Sequence, residues 1–288
     1  MKRYFWVVLL LLPLSLVAQP DVEIFGSAVQ GGMLRGKIST KVIDVFYNYQ
    51  PLPISKQQFI IGFDRDEKVN HILTFVLRDG TMFSKRFSLQ EPNYQIEEIT
   101  LPASKKKYTA PLSAELLQRI DSEAQSLKQA RAEIADNSSL LLAHNFTRAV
   151  AGGRISGVFG SQRFINGKPQ RPHNGLDIAA PIGTPVLAMN RATVALTGDY
   201  FYNGKFVLLD HGLGLSSIYI HLSEISVEMG EQVESGAIIG TIGNTGRSTG
   251  PHLHWGISYR GKRLDPALTS ELDNLFFSYP PENDFSSE

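Results

Sequence analysis

The stretch from Gly243 to Trp255 reads GNTGRSTGPHLHW, and it decides how the C-terminal half of this chain is built. A glycine-rich turn leads into an alternating segment in which His252 and His254 flank Leu253. Successive side chains of a strand point to opposite faces, so the two histidines share one face. Leu253 and Trp255 share the other face, which we expect to be the core. Both imidazoles can bind one metal ion, or one can bind the metal while the other acts on bound water. Taken alone, the His-x-His pattern is weak evidence for a metal site.

A second stretch, PHNGLDIAAP from Pro172 to Pro181, carries one histidine and one carboxylate close together. His173 and Asp177 supply one nitrogen and one oxygen ligand, and Gly175 relieves the backbone between them. The residues after Asp177 are apolar and predict a short strand. Taken alone, an Asp near a Gly is often only a turn residue.

The two stretches together predict a metal site. Two histidines and one aspartate leave an open position for water, which is typical of catalytic rather than structural zinc. The chain has no cysteine, which excludes disulfides, thiolate ligands and thiol catalysis. Mn, Ni or Fe would also suit these donors. One Zn²⁺ per chain is the better hypothesis for hydrolysis, because zinc makes bound water nucleophilic near neutral pH.

The segment Tyr219-Ile220-His221 adds a further element. On a regular strand Tyr219 and His221 face the same way, and His221 can hydrogen-bond an oxyanion or bound water. For His71, His144 and His211 a structural role is the preferred interpretation.

Composition and the first residues bound the class of protein. Lys+Arg and Asp+Glu balance at 28 each in 288 residues, so the basic surplus usual for nucleic-acid binding is missing. Lys2 and Arg3 precede a short apolar run that ends near Ala18. This predicts a signal peptide over 1–18 and an exported, periplasmic protein, with secretion as the second choice and an uncleaved anchor as the alternative. After cleavage we expect no membrane association.

The rest of the chain divides by pattern into a mainly β protein. Residues 19–105 predict a small β-sandwich, with Phe59–Phe63 as a strand and a hairpin around Asp79-Gly80. Residues 106–140 predict a helical linker, whose helix over 112–135 is capped by Ser113. Residues 141–275 predict a β domain rich in tight turns, and 276–288 a mobile tail. Lys105-Lys106-Lys107 is interpreted as a solvated linker, with contact to anionic wall polymer as the alternative.

The quoted motifs resemble the lysostaphin-type, or LytM-like, zinc endopeptidases. The resemblance is carried by five segments in the same order, covering positions 150–266: Phe159-Gly160, Pro172–Pro181, Gly183–Val186, Tyr219–Leu222 and Gly243–Trp255. It implies a C-terminal antiparallel β groove of the lysostaphin/LytM type. It also implies cleavage of peptide cross-links in bacterial peptidoglycan. Gln30–Gly32 and Gly62–Asp66 more loosely resemble N-terminal β modules of such peptidases, which in some relatives cover the groove.

The resemblance also implies a division of roles. His173, Asp177 and His254 are the expected metal ligands, His252 is the expected general base, and His221 is expected to stabilise the tetrahedral intermediate. Tyr219 is open between assisting there and being a core or groove aromatic.

Two departures from the family are visible. The family often has Ser where Gly157 stands and Gly where Ala192 stands. Both positions are expected to affect turns or groove edges only.

Three functions compete at this point. The first is the zinc endopeptidase, with a D-Ala to diaminopimelate cross-link preferred, glycine-rich bridges second, and trimming of uncross-linked stems unresolved. The second is a catalytically silent LytM-like module that binds and activates wall amidases. Such modules lack part of the ligand set, which this chain keeps in full. The third is the same fold acting on a protein outside the wall. Protein partners and oligomeric state are not predicted.

Overall fold

A computed structural model describes residues 21–108, 111–136, 146–272 and 274–279. The predicted signal peptide over 1–18 lies outside the described residues. The strands before the helix are β1 (Val22–Gly26), β2 (Met33–Ile38), β3 (Val42–Tyr47), β4 (Gln50–Pro51), β5 (Gln58–Gly62), β6 (Asn70–Leu77), β7 (Met82–Ser88) and β8 (Ile96–Ile99). A 3₁₀ turn at Ala103–Tyr108 leads to helix α1 (Ala114–Asp136).

Shorter strands and tight turns follow the helix. The strands are β9 (Arg154–Gly157), β10 (Gln162–Ile165), β11 (Lys168–Pro169), β12 (Leu176–Ala179), β13 (Pro185–Leu187), β14 (Ala192–Tyr200), β15 (Gly204–Gly212), β16 (Leu215–Ile225), β17 (Gln232–Val233), β18 (Ile238–Ile242), β19 (His252–Tyr259), β20 (Lys262–Leu264) and β21 (Leu275–Tyr279). A second 3₁₀ turn, Pro266–Glu271, precedes β21.

The N-terminal strands form the predicted sandwich. One sheet has the order β21-β1-β2-β5 and the other β4-β3-β6-β7. Apolar side chains from both sheets, among them Leu34, Phe59 and Phe75, are fully buried in one shared core. The hairpin predicted around Asp79-Gly80 is confirmed as the antiparallel pair β6–β7. The small sandwich therefore has its own hydrophobic core.

The strand β21 returns from the C-terminal domain to complete the N-terminal sandwich. It pairs antiparallel with β1, and the rings of Phe277 and Tyr279 stack on Phe83. Residues 276–288 are predicted to form a mobile tail, and of these 276–279 lie within the described residues. That boundary is too early, because these aromatic side chains gain a buried partner surface that only the folded sandwich offers.

Helix α1 begins where the sequence predicts. The Ser113 hydroxyl accepts the backbone N–H of Leu116, as an N-cap does. Ala130 and Ile134 are buried against Phe206 and Leu208 of β15, on the outer face of the large C-terminal sheet. The helix is therefore packed on that domain rather than spanning solvent between two domains. Within the described part of the chain, no helix combines the length and apolar character that crossing a bilayer requires.

The C-terminal domain is built on a large sheet in the order β17-β14-β15-β16-β19-β12-β9. The strands of this sheet pair antiparallel, as in β15–β16 and β16–β19, which confirms the predicted antiparallel architecture. One face of the sheet covers a core that includes Leu253 and Trp255, and both are almost completely buried. Helix α1 covers the opposite face over β14, β15 and part of β16, and toward β12 and β19 that face carries the polar residues described below.

The two domains share an extensive contact. Asp265 of the C-terminal domain donates its N–H to the Gly31 carbonyl at 2.7 Å. The Arg65 Nε donates to the Gly160 carbonyl at 2.7 Å, while its guanidinium lies over the Tyr94 ring. The two segments that resemble N-terminal modules, Gln30–Gly32 and Gly62–Asp66, thus form the contact with the C-terminal domain.

Strand β8 crosses the predicted domain boundary. It leaves the sandwich and pairs in parallel with β10 of the C-terminal domain. Farther along, the Lys105 Nζ donates to the carbonyls of Asn244 and Gly246 at 2.7 and 3.0 Å. The interpretation of Lys105 as part of a solvated linker is therefore wrong, because its ammonium group satisfies carbonyls of a glycine-rich loop.

Candidate metal centre

The strands β12 and β19 bring the two weak sequence motifs together. They pair antiparallel with Asp177 directly opposite His254, and directly opposite residues of such a pair have neighbouring side chains. His173, in the loop before β12, reaches the same point. Its Nε2 lies 3.0 Å from Asp177 Oδ1 and 3.0 Å from His254 Nδ1, and His254 Nδ1 lies 2.8 Å from Asp177 Oδ1. The predicted ligands therefore converge on one point.

The protonation pattern of these residues fits a metal ion. The His173 Nδ1–H donates to the Val158 carbonyl at 2.8 Å, so Nε2 of the neutral ring presents a lone pair. A ligating histidine that donates its other nitrogen to a carbonyl is the usual arrangement around metals. Two imidazole nitrogens and one carboxylate oxygen are a zinc-type donor set with room for a further ligand.

Close backbone packing fixes the His254 ring. A Cβ on Gly175 would lie 2.9 Å from His254 Nε2 and 2.5 Å from the Trp255 carbonyl oxygen. Only glycine leaves the space in which the ring turns Nδ1 toward Asp177. A glycine is therefore required at position 175 because a side chain there would collide with the His254 ring and the Trp255 carbonyl.

Burial and the three neighbouring groups set the charges at the centre. Burial raises the pKa of Asp177, but the His173 and His254 rings beside the carboxylate outweigh burial and hold that pKa well below its usual value. Burial lowers the pKa of His254 to about 4, although the Asp177 carboxylate opposes the change. At neutral pH the centre therefore offers an ionised carboxylate and an unprotonated His254, the forms that bind metal.

His252 lies beside the centre on the same strand face as His254, as predicted. Its Nδ1–H donates to the Gly250 carbonyl at 2.8 Å, and the Ser248 hydroxyl lies 3.1 Å from the same nitrogen. The neutral ring therefore presents an unprotonated Nε2. Its centroid lies 4.8 Å from that of His221, so the two rings are neighbours.

A β-bulge places His221 on the open face. Two residues of β16, Ile220 and His221, stand opposite the single residue Phe206 of β15, and His221 has φ +70°. Such a bulge re-aims a side chain. The His221 Nδ1–H donates to the Thr245 carbonyl at 2.8 Å. Burial lowers the pKa of His221 well below its usual value, with His252 and His254 adding to the effect.

The prediction that Tyr219 and His221 face the same way is wrong, because the bulge breaks the alternation between them. Tyr219 lies opposite Trp255 and is 0% exposed in the core. Its hydroxyl accepts the Met189 N–H at 2.9 Å. Of the interpretations open for Tyr219, the buried core aromatic is the one the structure has.

The histidines and the predicted ligands line one groove of about 760 Å³. The N-terminal segment supplies one wall through Glu97, Glu98, Ile99 and Leu101. The rest of the lining includes Arg163, Arg171, Arg247, Ile220, Tyr202 and Ser248. The groove is open and polar, which suits an extended polar substrate rather than an enclosed apolar ligand.

Sequence reasoning missed two residues at the centre. Arg163 Nη2 lies 2.6 Å from Asp177 Oδ2, and no motif marks this arginine. Gly157 was expected to affect only turns or groove edges. A Cβ there would lie 2.7 Å from Asp177 Oδ2, so Gly157 touches the metal centre itself. The one feature of the sequence that marks Gly157 is that the resembled family often has Ser at this position. Ala192, the other departure, is buried in the core.

The other histidines have structural partners where they are described. The His71 ring contacts the Tyr47 hydroxyl at 2.7 Å and the Lys68 carbonyl. His211 is fully buried, with Nδ1 at 2.9 Å from the Arg191 carbonyl. His144 lies outside the described residues.

Comparison with protein families gives a match for this region. Residues 171–266 match the model of peptidase family M23, a stretch that contains the converging donors and both further histidines. A relative in Vibrio cholerae, peptidoglycan DD-endopeptidase ShyA, is 43% identical over 113 residues, which are 39% of this chain and 26% of that protein. DD-carboxypeptidase/endopeptidase Mpg of Neisseria meningitidis is 40% identical over 113 residues, again 39% of this chain and 26% of that protein. The chain thus matches about a quarter of the length of these curated relatives.

One solved structure matches both domains. It is described as a candidate peptidase M23 from Pseudomonas aeruginosa and is 28% identical, with a TM-score of 0.57. The likeness covers 86% of this chain and 97% of that chain. The arrangement of sandwich, helix and groove domain is therefore shared with another protein and extends beyond residues 171–266.

Proposed function

We propose that this chain, which carries a peptidase family M23 domain, is an exported zinc endopeptidase that hydrolyses peptide cross-links of bacterial peptidoglycan. The observation that carries the proposal is the convergence of three donor atoms, from His173, Asp177 and His254, beside two further histidines in an open groove. The complete donor set supports catalysis over a silent module that activates wall amidases.

The names of the relatives support the substrate. ShyA is named a peptidoglycan DD-endopeptidase, and Mpg a DD-carboxypeptidase/endopeptidase. A DD bond joins two D-configured centres, which fits the preferred D-Ala to diaminopimelate cross-link. Peptidoglycan lies outside the cytoplasm, so an enzyme that cleaves it must be exported. Residues 1–18 are the predicted export signal, and the proposed location is the periplasm.

The donor set fits one Zn²⁺ held by His173 Nε2, Asp177 Oδ1 and His254 Nδ1. A zinc ion bound there would polarise the scissile carbonyl and lower the pKa of a water molecule. The chain itself contributes the ionised carboxylate, the neutral imidazoles and the open side toward the groove.

His252 is the proposed general base. Its Nδ1–H is held by the Gly250 carbonyl, so Nε2 is the nitrogen that can take a proton. The cation that results stays hydrogen-bonded to the same carbonyl. His252 can then pass the proton to the leaving amine, as acid–base catalysis of peptide hydrolysis requires.

His221 is proposed to stabilise the tetrahedral intermediate. Because its Nδ1–H already donates to the Thr245 carbonyl, His221 can donate from Nε2 only in its cationic form. Burial disfavours that form in the free protein. Negative charge that develops in the groove during the reaction favours it, so the stabilisation grows as the charge appears.

The test is digestion of purified sacculi by the full chain, with and without a chelator, followed by identification of the released fragments. We expect cross-linked muropeptide dimers to be converted to monomers, and we expect chelation, His173→Ala and His254→Ala each to abolish this. Arg154→Met, a change at an exposed position of β9, serves as the matched control and should digest normally. Full activity of His173→Ala or His254→Ala would contradict the proposal. So would digestion of unfolded protein but not of sacculi.

A further inference from the structure

The two oxygens of the Asp177 carboxylate have different partners. Oδ1 faces the metal donors, at 3.0 Å from His173 Nε2 and 2.8 Å from His254 Nδ1. Oδ2 lies 2.6 Å from Arg163 Nη2. A carboxylate that accepts a charge-assisted hydrogen bond on one oxygen has a fixed orientation for the other. The position of Oδ1 thus depends on Arg163.

Arg163 is itself held by the N-terminal domain. Its Nε lies 2.9 Å from Glu97 Oε2, so the guanidinium bridges Glu97 and Asp177. Glu97 and Arg163 lie directly opposite each other in the parallel pair β8–β10. The side chains of Arg163, Glu97 and Asp177 are 17%, 21% and 10% exposed, so solvent screens these contacts only in part. A planar guanidinium suits such a bridge, whereas a lysine ammonium is a single point charge.

Gly157 provides the space for this bridge. It lies opposite Asp177 in the pair β9–β12. A Cβ at this position would lie 2.3 Å from Arg163 Nη2 and 2.7 Å from Asp177 Oδ2. Real Cβ atoms do not approach other atoms so closely, so any larger residue would displace the guanidinium from Asp177. Glycine at 157 is therefore what allows the Arg163 guanidinium to reach Asp177 Oδ2.

Charge explains why Glu97 is part of the arrangement. An isolated guanidinium next to a metal ligand would repel a divalent cation. Glu97 compensates that charge at 2.9 Å, while the hydrogen bond that orients Asp177 remains. We therefore expect the orienting effect of Arg163 on metal binding to exceed its repulsion of the cation. Loss of an outer partner of a metal ligand typically lowers metal affinity by about 10–100-fold.

We infer that Arg163 is a positioning residue for the metal ligand Asp177, and that Glu97 of the N-terminal domain holds Arg163 in place. Metal affinity then depends on a domain that contributes no metal ligand. The inference rests on the metal site of the proposed function.

The test is the zinc dissociation constant of the full chain, measured without substrate by competition with a chromogenic chelator. We expect Arg163→Met to raise Kd by about 10–100-fold. Gly157→Ala should raise Kd by about the same factor, because its methyl group displaces the guanidinium. Arg163→Lys should recover part of the loss. The matched control, Arg154→Met, removes an exposed arginine of β9 and should leave Kd unchanged.

A second set of measurements separates positioning from general damage. Glu97→Gln should raise Kd by about 10-fold while the melting temperature of the metal-free protein changes little. The double variant Glu97→Gln/Arg163→Met should bind zinc no more weakly than Arg163→Met alone, because Glu97 acts on Asp177 only through Arg163. The visible absorption of the Co²⁺-loaded protein should change with Arg163→Met and not with Arg154→Met.

The inference is overturned if the Arg163→Met protein folds and its zinc Kd stays within about threefold of wild type. Such a change is well below the effect that is usual when an outer partner of a metal ligand is lost. If that variant does not fold, unchanged Kd values in both Gly157→Ala and Glu97→Gln overturn it. Failure of the proposed function is distinguishable. In that case the Kd values shift as expected, but the wild-type chain releases no fragments from sacculi.

Discussion

The buried imidazole of His211 makes the stability of this protein depend on pH, independently of the metal centre. Its Nδ1–H donates to the Arg191 carbonyl at 2.9 Å, and its Nε2 lies 2.8 Å from the Ser217 hydroxyl. Complete burial lowers the pKa of His211 from 6.5 to about 4. The folded protein therefore keeps this ring neutral at pH values where the unfolded chain protonates it.

The sign and size of the effect follow from this difference. Well above pH 6.5 the ring is neutral in both the folded and the unfolded state and contributes no pH dependence. As the pH falls from 6.5 toward 4, the unfolded chain binds the proton first, so the free energy of unfolding decreases. The loss from His211 is about 2 kcal/mol at pH 5 and about 3 kcal/mol at pH 4. Below pH 4 the loss levels off at about 3.4 kcal/mol, because the folded protein then binds the proton as well.

Urea denaturation of wild type and His211→Gln between pH 7.5 and 5 measures the effect. The other titrating groups contribute equally to both proteins, so the difference between the two curves isolates His211. We expect wild type to lose about 2 kcal/mol more than the variant over this range. A constant offset between the curves only reports the changed hydrogen bonds. Parallel curves throughout the range would refute the reasoning, as would an NMR titration of the His211 ring with a midpoint near 6.5.

Three further changes test other parts of the structure. Tyr219→Phe leaves the Met189 N–H without its buried acceptor and should cost about 1–2 kcal/mol of stability, with kcat unchanged. A large decrease in kcat at normal stability would mean that the hydroxyl acts in the groove instead. Phe277→Ala should lower the unfolding free energy by about 2 kcal/mol, since a partly exposed ring loses less than a fully buried one; an unchanged melting temperature would show that β21 is not needed by the sandwich. Lys105→Met should speed hydrogen exchange in the loop Asn244–Gly246, and unchanged exchange there would mean that the ammonium group does not hold the loop.

The fold was largely readable because its strands alternate. The hairpin around Asp79-Gly80 and the strand that carries His252 and His254 were both predicted from side-chain periodicity, and both are confirmed. The N-cap at Ser113 was readable for the same local reason. These features depend on residues a few positions apart, which a single sequence displays.

The predictions that failed depend on contacts between distant residues. The strand β21 forms because aromatic side chains find Phe83 almost two hundred positions away. The bulge at His221 depends on pairing between β15 and β16, and a simple alternation of two residues per repeat cannot reveal it. Lys105 finds its carbonyl partners in a loop that follows it by about 140 residues.

The sequence by itself determined the chemistry of the centre. It supplied the histidines and the aspartate, excluded cysteine ligands, and placed His252 and His254 on one face of a strand. Only the tertiary structure decided the distances between these groups and the second partner of Asp177. Periodicity reports which face a side chain takes, because it depends on local backbone geometry. The bridge from Glu97 through Arg163 to Asp177 depends on how separate strands pack, and that is settled only when the whole chain folds.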